Sequence, residues 1–295
     1  MVLQIKRLGG SGIGGTITKE ILFNEAAVPI EVIKSYSLPA YVDEHTLVIC
    51  SSYSGNTEEA LECYDLAQKQ KAKIVCITSG GKILESAKKD GNSFIVVPGG
   101  MPPRSCLGYS LTQLFHILSY YRLAPQKSVE ILASAENLEK EQETIIQEAR
   151  SIAKKLDDKF PVIYSTSQYE GIAIRFRQQL NENSKVLGWH HVVPEMNHNE
   201  LVGWSHAYTN VSVILFNDRD DNPRNKLRMD FCRKIFQKYA SEIIEIQDKG
   251  ATALEKVLYW IHLGDWISMC LAEQRNVDAM DIKVIDNLKQ ELANK

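Results

Sequence analysis

The first half of the chain alternates short apolar runs, rich in β-branched residues, with longer stretches in which apolar residues recur at helical spacing. This alternation is typical of a parallel sheet whose strands are joined by crossover helices. The clearest predicted strands and helices are, in order, strands 46–51 (TLVICS), 73–78 (KIVCIT) and 93–97 (SFIVV), and helices 57–70, 82–89 and 107–121. The pattern therefore predicts an α/β fold.

Residues 128–156 interrupt this pattern. They are rich in Glu, Lys, Gln and Ala, contain no Pro or Gly, and keep a helical period, which predicts a long connecting helix or a helix pair. The α/β pattern then restarts, with strands at 160–165, 211–216 and 243–246, a helix at 171–182 and two helices at the carboxyl end. We predict a first domain over 1–127, a helical connector over 128–156 and a second domain over 157–295, two halves whose similar layout suggests duplication.

Composition narrows the classes of protein. A length of 295 residues is sufficient for two α/β domains, and no apolar run is long enough to cross a bilayer. The formal net charge is −3, with scattered Lys and Arg, so no basic surface for nucleic acid is predicted. The six cysteines are far apart without a C-x-x-C pair, which indicates reduced core thiols. Because the first residues lack the features of a secretory signal, we expect a cytoplasmic protein without membrane partners.

Residues 51–57 (SSYSGNT) follow a predicted strand and open a predicted helix. Free backbone N–H groups and the positive end of the helix dipole favour an anion at such a position. The hydroxyls of Ser52, Ser54 and Thr57 can add hydrogen bonds, so the loop fits a phosphate. It lacks the lysine of a nucleotide P-loop, and an ordinary N-capping turn remains the alternative.

A second glycine-rich segment, residues 9–15 (GGSGIGG), contains the spacing G-x-G-x-x-G. A dinucleotide site would also need an acidic residue at the end of the next strand, whereas Glu31 begins the strand predicted over 31–36. We therefore predict that Gly10 and Ser11 line the same anion or sugar site, with a structural tight turn as the alternative.

Candidates for proton transfer lie elsewhere in the chain. Arg104 follows a strand in a loop stiffened by prolines (PGGMPPRS), where an arginine is either held over a site or simply solvated. Glu182 ends a predicted helix. Residues 188–200 (GWHHVVPEMNHNE) contain three His, two Glu and two Asn. A metal site is one interpretation of that density, although no H-E-x-x-H or other tight ligand spacing is present.

Five segments, in order along the chain, resemble the bifunctional phosphoglucose/phosphomannose isomerases of the sugar isomerase (SIS) superfamily. They are GGSGIGG, SSYSGNTEE, PGGMPPRS, PEMNHNELVGW and IDNLKQEL. The resemblance spans nearly the whole chain. It implies two SIS-type subdomains, each a parallel sheet flanked by helices in a flavodoxin-like three-layer sandwich, and an aldose–ketose isomerase that works without metal or other cofactor.

Carried over by position, the resemblance implies that Ser52, Ser54 and Thr57 hold the substrate phosphate, while Gly10 and Ser11 line the sugar. Glu182 matches the base, since the family places that carboxylate sixteen residues before the ring-opening histidine, here His198. Arg104 would steady the enediolate, and Lys289, in the segment IDNLK, would assist ring opening. The family also implies a homodimer in which His198 reaches into the partner's site.

The implied reaction interconverts glucose 6-phosphate or mannose 6-phosphate with fructose 6-phosphate through a cis-enediolate. A base must remove the C2 proton and return it to C1, which one carboxylate can do. Two other classes remain open at this point. A regulatory SIS module would bind the sugar phosphate without turnover, and a dinucleotide-dependent oxidoreductase would use the glycines at 10–15.

Overall fold

The structure is a computed structural model that describes residues 3–6 and 12–293. Its contacts divide the chain into two compact units. The first runs to Ala133 and includes Thr252–Leu254, and the second comprises Ser134–Ala251 and the residues from Glu255 onward. The predicted domain limits at residues 127 and 157 stay a prediction. No helix within the described ranges is long and apolar enough to span a membrane.

The first unit is an alternation of strands and helices. Its elements are β1 Leu3–Lys6, α1 Gly12–Ile21, β2 Ile30–Ile33, β3 Leu47–Ser51, α2 Glu58–Lys69, β4 Lys73–Thr78, α3 Gly81–Asp90, β5 Ser93–Val96 and α4 Leu107–Tyr120, followed by α5 Ser128–Lys140, which crosses the division between the units. All five strands are parallel, in the order β2-β1-β3-β4-β5. Every residue of β3 is buried, as expected for a strand with helices on both faces of its sheet.

The second unit repeats this layout with four strands. Its elements are α6 Gln142–Leu156, β6 Phe160–Thr166, α7 Glu170–Glu182, β7 Trp189–Val193, β8 Tyr208–Asn217, α8 Pro223–Tyr239, β9 Ala240–Gln247, α9 Ala253–Gln274 and α10 Lys283–Ala293. The strands are again parallel, in the order β7-β6-β8-β9. The predicted α/β class with parallel sheets and flanking helices is confirmed.

Each unit has its own core between sheet and helices. In the first, Val48, Cys50 and Cys76 of the sheet pack against Tyr64 of α2 and Ile83 of α3. In the second, a cluster on one face of the sheet includes Val162, Tyr164, Val213, Leu215, Met229, Cys232 and Phe236. All six cysteines are buried and none is in a disulfide.

Candidate functional site

The strand order of the first unit places a topological switch point at β1. β2 and β3 lie on opposite sides of β1, so the chain leaves β1 and β3 toward opposite halves of the sheet. In open parallel sheets, ligands bind outside the carboxyl ends of the strands at such a switch point. The segment Ser52–Thr57, hereafter the hydroxyl loop, directly follows β3 there.

Within the hydroxyl loop, two of the three hydroxyls face each other. Ser52 is buried, and its Oγ lies 2.9 Å from Oγ1 of the half-buried Thr57. Gly55 N also donates to Ser52 Oγ at 3.2 Å, while the exposed Ser54 accepts from Asn56 N at 3.3 Å. Thr57 is the N-cap residue of α2 but makes no side-chain hydrogen bond to the helix. The loop is therefore not the simple hydroxyl-capped turn that was the alternative interpretation.

The hydroxyl loop is braced by the segment that follows β4. Gly55 has φ +69°, and a Cβ built on it would lie 1.8 Å from the backbone oxygen of Gly80. Ser79 donates to the carbonyl of Tyr53 through both N, at 2.9 Å, and Oγ, at 2.6 Å. This bracing segment was not predicted from the sequence. Its signal was SGG directly after the strand KIVCIT, the same arrangement of a strand followed by small residues and a helix.

Arg104 is almost fully buried, at 5% exposure, in a short 3-10 turn over Pro103–Ser105. It is thus not the solvated loop arginine of the alternative interpretation. Tyr53, in the middle of the hydroxyl loop, reaches the segment before this turn, because its hydroxyl accepts from Met101 N at 3.2 Å. A hydrogen bond with Cys106, together with burial, raises the pKa of Tyr53. Tyr53, which the sequence did not single out, therefore joins the hydroxyl loop to the segment that carries Arg104.

Three further predicted residues lie in the second unit. Glu182 is the last residue of α7 and is half-buried. His198 is exposed at the end of a 3-10 turn over Glu195–His198, and Lys289 is exposed on α10, where it pairs with Asp286 at 3.1 Å. In the described part of the chain, no hydrogen bond or ion pair joins these three side chains to one another. Gly10 and Ser11 lie outside the described residues.

The first part of the histidine-rich segment forms strand β7, and the rest forms short 3-10 turns over Glu195–His198 and Glu200–Gly203. His190 and His191 are neighbours in β7, and successive strand residues point to opposite faces. His190 Nδ1 accepts from Arg177 Nε at 3.1 Å. Among the described residues, the one group of three side chains spaced to hold a metal ion is Asp218, Asp220 and Asp248, away from this segment in sequence. The metal interpretation of the segment therefore finds no supporting geometry.

That acidic group already contains a cation, the ammonium of Lys256. Its Nζ lies 2.6 Å from Asp218, 2.5 Å from Asp220 and 3.5 Å from Asp248, and Lys256 is 3% exposed. Although burial opposes both shifts, the hydrogen bond with Lys256 lowers the pKa of Asp218, and the bonds to Asp218 and Asp220 raise the pKa of Lys256. The group is thus an internal ion network.

Comparison with known proteins gives one family and several relatives. Residues 145–292 match the model of the bacterial phospho-glucose isomerase C-terminal SIS domain. The chain is 38% identical to the bifunctional phosphoglucose/phosphomannose isomerase of Aquifex aeolicus over 292 residues, which cover 97% of this chain and 88% of the relative. It is also 38% identical to the protein of the same name from Caldicellulosiruptor bescii, covering 98% and 88% of the two chains.

Solved structures share the fold at lower identity. The C-terminal domain of glucosamine-fructose-6-phosphate aminotransferase from Francisella tularensis superimposes with a TM-score of 0.73 at 15% identity, covering 94% of this chain and 85% of that domain. At this identity the likeness concerns the fold alone. It matches the two parallel α/β units described above.

Proposed function

This chain belongs to the family of bifunctional phosphoglucose/phosphomannose isomerases, and on that premise we propose that it interconverts glucose 6-phosphate and mannose 6-phosphate with fructose 6-phosphate. The reaction would pass through a cis-enediolate without a metal ion. The observation that carries the proposal is the hydroxyl loop at the switch point of the first sheet, in a chain related to these isomerases over nearly its full length.

The hydroxyl loop would bind the phosphate. The paired hydroxyls of Ser52 and Thr57 and the exposed hydroxyl of Ser54 are donors at the amino end of α2, where the helix dipole favours a negative charge. The phosphate does not react, so its binding energy can orient the reacting end of the sugar. Gly10 and Ser11, which directly precede α1 in the sequence, would line the sugar.

Glu182 would act as the base that moves the proton between C2 and C1. Because the C2 epimers give the same planar enediolate, one carboxylate can serve both aldoses once the C2–C3 bond rotates. The buried Arg104 would stabilise the negative charge that develops on the enediolate, since a cation held away from water is not weakened by solvent. His198 and Lys289 would open the cyclic sugar as acid and base groups.

We further propose that the protein is a cytoplasmic homodimer in which each active site contains residues of both chains. His198 is exposed and makes no hydrogen bond or ion pair within the described ranges, as expected of a group that acts in a partner chain. Helix α10 supports the same assembly, because Val284, Ile285 and Leu288 on it are 83%, 42% and 59% exposed. An exposed apolar helix face of this kind is typical of a surface that another chain covers.

Two other functions are less well supported. A dinucleotide-dependent oxidoreductase would have its third strand beside the second, whereas β3 here lies on the other side of β1, and the residue after β2 is Lys34 rather than an acid. A non-catalytic SIS module would bind fructose 6-phosphate and leave it unchanged. Such a module needs the hydroxyl loop but has no use for Glu182.

A coupled assay with fructose 6-phosphate, glucose 6-phosphate and mannose 6-phosphate, run with a chelator, tests the reaction. We expect turnover of all three in the wild type and a loss of about 100-fold or more in kcat for Glu182→Gln. Glu170→Gln, at the other end of the same helix, is the matched control and should keep wild-type kcat. Binding without turnover would instead identify the non-catalytic module, and full activity of Glu182→Gln would remove this residue as the base.

Subunit mixing tests the shared site. Glu182→Gln and His198→Ala chains, each inactive alone, should regain part of the activity when they exchange subunits, because one mixed site then contains both native groups. Exchange without any recovery would contradict a site shared between chains.

A further inference from the structure

A buried polar face of α7 leads to Glu182. Arg175 and Gln179 precede Glu182 by two turns and one turn of the helix, so the three side chains lie on one face. Arg175 is 2% exposed and Gln179 is 3% exposed. Polar groups buried this deeply require hydrogen-bond partners, because desolvation is otherwise uncompensated. The partners of this face therefore determine how the end of α7 is held.

Asp265 of α9 is a partner of both residues. Arg175 Nη2 donates to its Oδ2 at 2.8 Å and to its Oδ1 at 3.0 Å, and Gln179 Nε2 donates to Oδ1 at 2.9 Å. The preceding residue, Gly264, allows the helices to approach closely, since a Cβ there would lie 3.1 Å from the ring of Phe176 on α7. One carboxylate thus fixes two successive turns of α7.

The residues just after Glu182 are held by the next turn of α9. Asn183 Nδ2 donates to Ser268 Oγ at 2.9 Å, and Ser184 Oγ donates to the Ser268 carbonyl at 2.7 Å. Ser268 Oγ in turn donates to the carbonyl of Asp265 at 2.7 Å. Polar groups of α9 therefore hold the chain on both sides of Glu182 in the sequence.

Stability alone does not require an ion pair at this helix contact. Burying Arg175 costs desolvation, and apolar side chains of similar volume commonly hold two elements together equally well or better. What the directional hydrogen bonds add is a fixed rotation and register of α7 against α9. On the premise of the proposed function, we infer that Asp265 is a positioning residue that orients Glu182 toward the substrate carbon through Arg175 and Gln179.

Replacing the ion pair by apolar residues separates positioning from stability. In the double variant Arg175→Met with Asp265→Leu, we expect an unchanged or higher melting temperature, an unchanged KM for fructose 6-phosphate, and a kcat lowered about 10- to 100-fold by misplacement of the base. KM should not move, because the phosphate-binding groups lie in the hydroxyl loop. Glu273→Gln, also on α9, is the control. It removes an exposed ion pair with Arg150 of α6 and should change neither kcat nor KM.

Gln179→Met provides a second, milder variant that keeps the side-chain volume and removes one bond to Asp265. It should lower kcat without raising KM, and it decides the question if the double variant does not fold. Wild-type kcat in a folded variant would overturn the inference, as would a fall in kcat that only accompanies a lower melting temperature and a higher KM. Full activity of Glu182→Gln would instead defeat the proposed base, whatever the Asp265 variants show.

Discussion

Replacing Gly55 by alanine tests whether the close approach of the hydroxyl loop to the segment after β4 shapes the anion site. A side chain at φ +69° costs about 1–2 kcal/mol in the left-handed region. The added Cβ would also lie 1.8 Å from the Gly80 oxygen and 2.8 Å from Thr78 Oγ1, so the two segments must separate. Separation would break bonds between the two segments, namely the one from Ile83 N to the Gly55 carbonyl (3.0 Å) and the one from Ser79 Oγ to the Tyr53 carbonyl (2.6 Å), each worth about 1 kcal/mol.

Gly91→Ala is the matched control. Gly91 caps α3 at φ +72°, but nothing lies within 4 Å of the position that a Cβ would take there, so only the backbone cost of about 1–2 kcal/mol applies. We expect Gly55→Ala to lower the free energy of unfolding by about 2 kcal/mol more than Gly91→Ala, the sum of the two broken bonds. Because both changes restrict the unfolded chain equally, the difference isolates the contact.

Urea unfolding followed by circular dichroism measures this difference, and inhibition by inorganic phosphate measures its effect on the site. Gly55→Ala should weaken phosphate inhibition and raise the KM for fructose 6-phosphate, since Ser52 and Thr57 flank the displaced glycine. Gly91→Ala should leave both constants unchanged. Equal unfolding free energies in the two variants, or unchanged phosphate inhibition in Gly55→Ala, would refute the reasoning.

Two further predictions concern the ion network of the second unit. Lys256→Met should lower the free energy of unfolding by about 3–5 kcal/mol because it leaves the buried Asp218 without its cation. Lys283→Met, on an 87% exposed side chain, should have little effect in the same urea titration. The network should also make stability depend on pH. The pKa of Asp218 is lower in the folded protein than in the unfolded chain. Its contribution to the free energy of unfolding is therefore present above the unfolded pKa of about 3.9 and is lost as the pH falls through the folded pKa. Melting temperatures measured downward from pH 6 should therefore fall in acid for the wild type, and a parallel fall in Lys256→Met would contradict the role of this pair.

The strands and helices that could be predicted were those with strong apolar periodicity. The strand at 73–78 matches β4 residue for residue, and the connector at 128–156 proves to be the two helices α5 and α6. Helix α8 was missed because its buried face consists of only Met229, Cys232 and Phe236 among many charged residues. Strand β7 was missed because the histidines in its sequence, WHHVV, suggested metal ligands rather than a strand.

Some residues of the candidate site could likewise be predicted from the sequence, and others could not. The hydroxyl loop was predictable because its signal is local, a strand followed within seven residues by hydroxyls, a glycine and a helix. Tyr53, Ser79 and Asp265 were not, because each acts through a partner far away in the sequence. The bonds from Ser79 to Tyr53 and from Arg175 to Asp265 connect residues 26 and 90 positions apart, and no spacing rule covers such distances. Glu182 was a candidate because it ends a predicted helix, but its role as the base came from the family resemblance.

The two units share a topology but differ in the residues that come directly after their third strand. This difference supports the proposal that the phosphate binds to the first unit. β3 is followed by hydroxyls at a helix amino end. β8, its counterpart, is followed by Asp218, which accepts from Tyr169 at 2.6 Å and pairs with Lys256. Tyr169 comes from the segment after β6, so these bonds tie together the two strand ends that border the second switch point. An anion at that position would meet ionised carboxylates whose charge is already balanced, whereas the hydroxyl loop offers donors without a negative charge of its own.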